Sequence, residues 1–209
     1  SGCTTVIHLA GRAHILKDSN VDSAAEFMKE NVDGTINLAE QAVREGVERF
    51  IFVSSIGVYG TKSDEEPITA DSNVNPQSPY SKSKLDAELA LRKIAYKSKM
   101  EVVIVRCPAI YETGAPGNFG LIEACVNNGI PLPFGSIVNQ RSLVYLGNLT
   151  DFLTLCVEHQ EVGGKVFVVD DNNSLSTPEI VLVMAGLSGK RARMFKFPQN
   201  LLSLLLKLF

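Results

Sequence analysis

The sequence predicts an α/β protein: a doubly wound parallel sheet, incomplete on its N-terminal side, followed by a smaller C-terminal lobe. Three observations lead there. Short β-branched runs alternate with longer helical patterns. Those runs are continuously apolar, as strands covered by helices on both faces must be. After residue 112 the rhythm loosens, with Gly, Pro and Asn frequent and the elements shorter. The chain has 209 residues, 45% hydrophobic and 21% charged, the composition of a folded domain of about 150 residues with an appendage.

The elements follow in order. Thr5–Leu9 is a buried strand. Residues 22–45 form a helix, with Met28, Val32, Ile36, Ala39 and Val43 spaced along one face and Gly46 stopping it. Arg49–Val53 is a second strand, ending in Ser54-Ser55, and a polar loop rich in Asp, Glu, Pro and Asn follows. A second long helix runs from Pro79 to Lys99, with Leu85, Leu89 and Ile94 on one side. Val102–Arg106 is a third strand. Residues 1–112 make the sheet domain. Residues 113–209 make mainly the smaller lobe, with a strand at Lys165–Val169, a turn at Gly163-Gly164 and a helix from Thr177. Elements of that lobe are free to return to the sheet.

Composition excludes several function classes. Twenty basic against 23 acidic residues leave a net charge of −3 and a pI near 5.7, too acidic for a protein whose main partner is nucleic acid. The cluster Lys190-Arg191-Ala192-Arg193 reads as a solvated turn. Cys3, Cys107, Cys125 and Cys156 stand singly, which points to a reducing, cytoplasmic setting with neither disulfides nor zinc. His8, His14 and His159 lack metal-ligand spacing, so no metal is expected. No secretory leader and no membrane span is expected. The apolar end, Leu201–Phe209, reads as a core helix or an oligomer contact before an anchor.

Open parallel sheets bind ligands beyond the carboxyl ends of their strands, so the loops after Leu9, Val53 and Arg106 should line a site. The segment Tyr80-Ser81-Lys82-Ser83-Lys84 puts a phenol and an ammonium four residues apart, on one helix face with Cβ atoms about 5–6 Å apart. At an effective dielectric near 20 such a cation favours the phenolate by about 3 kcal/mol. That brings a Tyr from about 10 toward about 8, suited to proton exchange with a substrate hydroxyl. The spacing alone is common by chance.

It is joined by Val6-Ile7-His8-Leu9-Ala10-Gly11, by Asn31-Val32-Asp33-Gly34-Thr35, and by Ser54-Ser55-Ile56-Gly57-Val58-Tyr59-Gly60. In these four ordered segments the chain resembles the extended short-chain dehydrogenase/reductase family, and within it the nucleotide-sugar epimerases and reductases of the UDP-glucose 4-epimerase type. The resemblance covers most of residues 4–195. It implies a Rossmann-like fold that binds NAD, with NADP open, and a UDP-hexose or UDP-N-acetylhexosamine substrate. Tyr80 would be the acid/base at the sugar hydroxyl. Lys84 would lower its pKa and hold the nicotinamide ribose, and Ser55 would share the sugar proton. Ala10, Gly11, Asn31 and Ser54 would lie along the cofactor, and Asn118, Phe134 and Arg141 against the sugar nucleotide. The implied reaction is C4 epimerisation through a 4-keto sugar. The alternatives are a 4-ketoreductase of surface-polysaccharide synthesis, a dehydrogenase of apolar alcohols and a non-catalytic truncated relative. A homodimer through helices near 22–45 and 80–99 is implied by analogy.

Departures from the family sharpen this. The glycine-rich pyrophosphate turn expected in the first βα unit is absent before Thr4. Gly114-Ala115-Pro116-Gly117-Asn118-Phe119-Gly120 imitates its spacing but follows the Tyr80 helix, so it reads as the entrance to the sugar site. Dehydratases of the family carry Thr-Asp-Glu where Ser55-Ile56-Gly57 stands, which argues against loss of water. Ala109 replaces an Asn usual in galactose-type epimerases, and Glu112 a frequent Gly.

Overall fold

The computed structural model describes residues 2–13, 23–61, 67–112, 114–115, 117–198 and 200–202. His14, residues 62–66 of the polar loop and the apolar run 203–209 therefore lie outside the described residues. Six strands form: β1 (Thr5–His8), β2 (Arg49–Ser55), β3 (Glu101–Cys107), β4 (Ala109–Tyr111), β5 (Leu143–Tyr145) and β6 (Val166–Val168). The α-helices are α1 (Ser23–Phe27), α2 (Gly34–Arg44), α3 (Pro79–Lys97), α4 (Asn118–Asn127), α5 (Leu146–Glu158) and α6 (Thr177–Leu187). The chain divides into two units, one of Ser1–Pro108 with Leu146–Val169, the other of Ala109–Tyr145 with Asp170–Phe209.

In the first unit a fully parallel sheet runs in the order β1-β2-β3-β6. Its centre is the most apolar part of the sequence: Phe50, Ile51, Phe52, Val103 and Val105 are completely buried. The register sets Ile7 beside Ile51 and Ser55 beside Cys107, so the two serines lie at the carboxyl end of the sheet. The Lys165–Val169 strand, read with the C-terminal lobe but left free to return to the sheet, is β6, paired with β3 through Val105 and Phe167. A βαβ crossover from β3 can close on the same sheet after an excursion, and sequence order does not reveal that return.

Arg49 fastens α5 to the strands. Its Nη1 donates to the carbonyls of Cys156, Val157 and His159 at 2.8–3.0 Å, which are unsatisfied acceptors at the helix C-terminus. Its Nη2 pairs with Glu101 at 2.7 Å.

The helix expected over 22–45 is broken by a π-helical turn at Met28–Asp33. The extra residue in that turn rotates the face that follows, and Asn31, Val32, Thr35, Ala39 and Ala42 point inward. Met28 is left 39% exposed. Gly46, at φ 76°, closes α2 with a Schellman pair, Val47 N–H to Ala42 C=O and Gly46 N–H to Val43 C=O. The α3 helix likewise departs from its apolar pattern. It buries Ser81, Ser83, Lys84, Ala87, Glu88 and Leu91, while Leu89 stays 48% exposed.

In the second unit β4 and β5 pair in parallel. Asp171 ties them together, accepting from the Tyr111 hydroxyl at 2.8 Å and the Tyr145 N–H at 2.9 Å. Val126, Leu132, Val181 and Ala185 form a small core with α4 and α6 on it. Ser176 and Glu179 start α6 with a reciprocal capping box. Among the described residues no helix is long and apolar enough to cross a membrane, and no group of His, Cys, Asp and Glu could hold a metal.

Candidate active site

Adjacent residues of a strand face opposite sides of its sheet, and this separates Ser54 from Ser55. Ser55 caps the 3₁₀ turn Ile56–Tyr59, its Oγ accepting from the Gly57 N–H at 3.1 Å. The Ser55 hydroxyl also hydrogen-bonds the Tyr80 phenol, which favours the phenolate. Tyr80 reaches it because Ser78 caps α3, accepting from the Ser81 N–H at 3.1 Å, and Pro79 fills the first turn. Space is tight here: a Cβ on Gly57 would stand 2.7 Å from Ser81 Oγ and 3.3 Å from Ser55 Oγ.

One turn along α3, the Lys84 ammonium donates to the Val53 carbonyl at 2.9 Å and lies 4.6 Å above the Phe52 ring. The side chain is nearly buried, and burial lowers its pKa to about 8, partly opposed by Glu88. The sequence-based value for Tyr80 requires correction. Burial raises the Tyr80 phenol above its ordinary range despite the Ser55 hydrogen bond, and Lys84 is not among the groups that move it. The cause is geometric: a shared helix face does not decide where a four-carbon side chain ends, and the ammonium is drawn to the strand carbonyl. Cys107, at the end of β3, is a neutral neighbour, its thiol pushed by burial up to about 12.

The loop after β1 lies against this pair. A Cβ on Gly11 would come within 3.2 Å of both Lys84 Nζ and Asn31 Oδ1, so only a glycine brings its backbone this close without displacement. Ala10 and Gly11 are exposed. Asn31 is 2% exposed. Its Oδ1 accepts from the Arg12 N–H at 2.7 Å, and its Nδ2 donates to the Arg12 carbonyl at 3.1 Å and to Ser83 Oγ at 2.9 Å. The Asn31 amide thus holds the Gly11–Arg12 backbone beside α3. Ser54 is buried, its hydroxyl donating to Glu88 at 2.5 Å.

Sequence reasoning missed two supports. His8 is buried, its Nε2 2.9 Å from Thr35 Oγ1. The Thr35 hydroxyl donates to the Asn31 carbonyl at 2.6 Å, which leaves it to accept from a His8 Nε2–H. Burial first, then Lys84, lower the His8 pKa, so the ring is neutral. The second support is a buried ion pair in which Arg106 holds both oxygens of Glu88 at 2.6 and 3.1 Å. Arg106 also donates to the Tyr59 hydroxyl, steadying the turn that Ser55 caps. Glu88 lies four residues beyond Lys84, and that spacing was the available signal.

A model of the NAD dependent epimerase/dehydratase family matches residues 1–170, the span that contains this whole constellation. The chain belongs to that family. Among curated members of the epimerase/dehydratase family it is 42% identical to a UDP-glucose 4-epimerase of Vibrio cholerae, over 87% of this chain and 56% of the relative. MoeE5, solved with UDP-glucuronic acid and NAD, is 26% identical with a TM-score of 0.79, over 93% of this chain and 65% of that one. A UDP-glucuronic acid 4-epimerase from Bacillus cereus, solved with NAD, shares the fold at a TM-score of 0.80 and 22% identity, over 92% of this chain and 63% of that one. The chain spans about half the length of the curated relatives it matches.

The remaining candidates lie in the second unit of this family member. Asn118 opens α4, and its side chain lies outside the described residues. Phe134 is half-buried against the Val126–Leu132–Val181–Ala185 core. Arg141 is exposed, its backbone bridged in both directions to Leu175 at 3.0 Å. Glu112 hydrogen-bonds the Tyr145 hydroxyl. Gly114 and Gly117 take positive φ on the approach to α4, and a Cβ on Gly120 would stand 2.5 Å from the Ala115 carbonyl. These glycines thus shape a tight turn.

Proposed function

We propose that the protein inverts C4 of a UDP-linked hexose or N-acetylhexosamine through a 4-keto sugar, using NAD. The observation that carries this is the grouping of Ser55, Tyr80 and Lys84 at the carboxyl end of a parallel sheet. The 42% identity to a UDP-glucose 4-epimerase supports the choice of reaction. The residues fit a dinucleotide: the exposed Ala10–Gly11 backbone lies beside the Lys84 ammonium, where a ribose hydroxyl would find a donor. When bound, NAD supplies reversible hydride transfer.

This chain's residues manage the proton. Hydride can leave C4 only as the C4 hydroxyl loses its proton, so an acid/base must touch that oxygen. Tyr80 has that role: burial favours its protonated form, and the base is the phenolate left once that proton has passed to solvent, which takes the C4 hydroxyl proton as hydride leaves. Ser55 donates to the phenol oxygen and stabilises the phenolate as it forms. Lys84, mainly protonated at pH 7 with a pKa of about 8, would donate to a ribose hydroxyl of the bound cofactor and hold it beside Tyr80. On the return step Tyr80 gives the proton back after the keto sugar has turned its other face. Ile56 and Gly57 offer neither acid nor base for eliminating water, which separates this reading from dehydration. The test is proton NMR of the full-length protein with UDP-glucose or UDP-N-acetylglucosamine and NAD. The C4 epimer should appear and reach a constant ratio, with no net gain of reduced nucleotide. A 4-keto-6-deoxy product, or reduced nucleotide equal to the sugar consumed, would contradict the proposal.

A further inference from the structure

We infer that the second unit carries a docking face for an anionic lipid bilayer, formed by the outer side of α6 and the extended segment that follows it. The charge distribution is the first reason. Residues 180–209 contain no Asp or Glu and five Lys or Arg. The preceding 179 residues hold the remaining 15 cations against all 23 acids, 15 − 23 = −8. Cations are therefore gathered beside α6, in a stretch that begins directly after its one acid, Glu179. The fifth cation, Lys207, lies outside the described residues and is not counted in the face.

Packing is the second reason. One side of α6 is fixed by Ile180, Val181 and Ala185, all buried. The other side leaves Leu182 54% and Leu187 86% exposed. The segment after it is pinned to the Leu132 loop, Leu132 N–H to Arg193 C=O and Phe195 N–H to Leu132 C=O, at 2.9 and 3.0 Å. Extended backbone alternates its side chains. Ala192 and Met194 pack on the small core, while Arg193 and Phe195 turn outward, Phe195 46% exposed. Lys190, Arg191 and Lys196 are exposed as well. Arg193 Nη1 lies 3.5 Å from the Gly129 carbonyl, a contact that leaves the residue exposed.

The exposed leucines of α6 are followed by four exposed cations, Lys190, Arg191, Arg193 and Lys196, against one exposed acid, Glu179, in the first turn of the helix, and apolar side chains beside cations suit an anionic membrane interface. Each Lys or Arg near an anionic surface strengthens binding about fivefold. A second copy of the chain fits poorly, because a two-fold contact would set the same cations against each other. Nucleic acid fits less well, since only Phe195 offers a ring on which a base could stack and the exposed leucines gain nothing from bases.

The experiment is sedimentation of the full chain with vesicles, of phosphatidylcholine alone or mixed with phosphatidylglycerol. Binding is expected to the mixed vesicles only, lost at high salt. Combined Lys190→Glu and Arg191→Glu should weaken it by more than about thirtyfold. Leu187→Ser should weaken it about tenfold, and all three residues are exposed enough to leave the fold and its thermal transition intact. No binding to the mixed vesicles, equal binding to both kinds, or binding insensitive to these substitutions overturns the proposal. Tighter binding to single-stranded RNA than to the mixed vesicles, or self-association lost in the same variants without vesicle binding, overturns it as well. None of these outcomes depends on the sugar chemistry.

Discussion

Lys84→Met is expected to make the protein more stable at pH 7 and to abolish turnover. A nearly buried lysine with a pKa of about 8 releases its proton more readily folded than unfolded. Between pH 8 and the unfolded value near 10.5 the unfolded chain therefore holds more protons, and stability rises with pH across that window. Below pH 8 the folded state bears the full cost of a buried cation, about 3 kcal/mol from the difference of the two values. Methionine keeps all but the last atom of the side chain, leaves an apolar group near Phe52 and removes the charge. The gain at pH 7 should be about 1–3 kcal/mol, the hydrogen bond to Val53 offsetting part of it. Denaturant unfolding at pH 7 and at pH 10 reads this directly, with the advantage of the variant shrinking at the higher pH. A residue that costs stability where it stands is held there by function. Equal stability of the two proteins at both values would remove that reasoning.

Arg106→Met should act in the opposite direction, with a loss of about 3–5 kcal/mol. Glu88 is 1% exposed, and without the guanidinium it becomes an unpaired buried carboxylate. Removing both members, Glu88→Met with Arg106→Met, should cost markedly less than the sum of the single changes, because the charge left behind disappears with its partner. The double-mutant cycle in urea measures this coupling. The single change should also lower activity, since Arg106 holds Tyr59 at the far end of the turn that Ser55 caps. Additive losses would show that the pair acts as two independent residues.

The strands were legible because an apolar β-branched run such as Arg49–Val53 has few other fates in a soluble chain. Tyr80 and Lys84 were legible as a pair because helical spacing fixes their common face. Their separate destinations were not, since a flexible lysine chooses among acceptors that only the fold assembles, here the Val53 carbonyl. Asn31 and Thr35 read as a polar face until the π turn at Met28–Asp33 carries them inward, where each finds a partner far away in sequence. Such pairings, Asn31 with Ser83 or Glu88 with Arg106, have no local signature. The same holds for β6, whose three residues join a sheet begun more than a hundred residues earlier.

The most direct test of the account is Tyr80→Phe in the full-length protein, with turnover of the UDP-sugar measured beside NAD binding by calorimetry. Removing the proton-exchanging oxygen should lower kcat by about 10²–10⁴ and leave NAD affinity and thermal stability close to wild type. Turnover within a few-fold of wild type would contradict the assignment of Tyr80 as the acid/base.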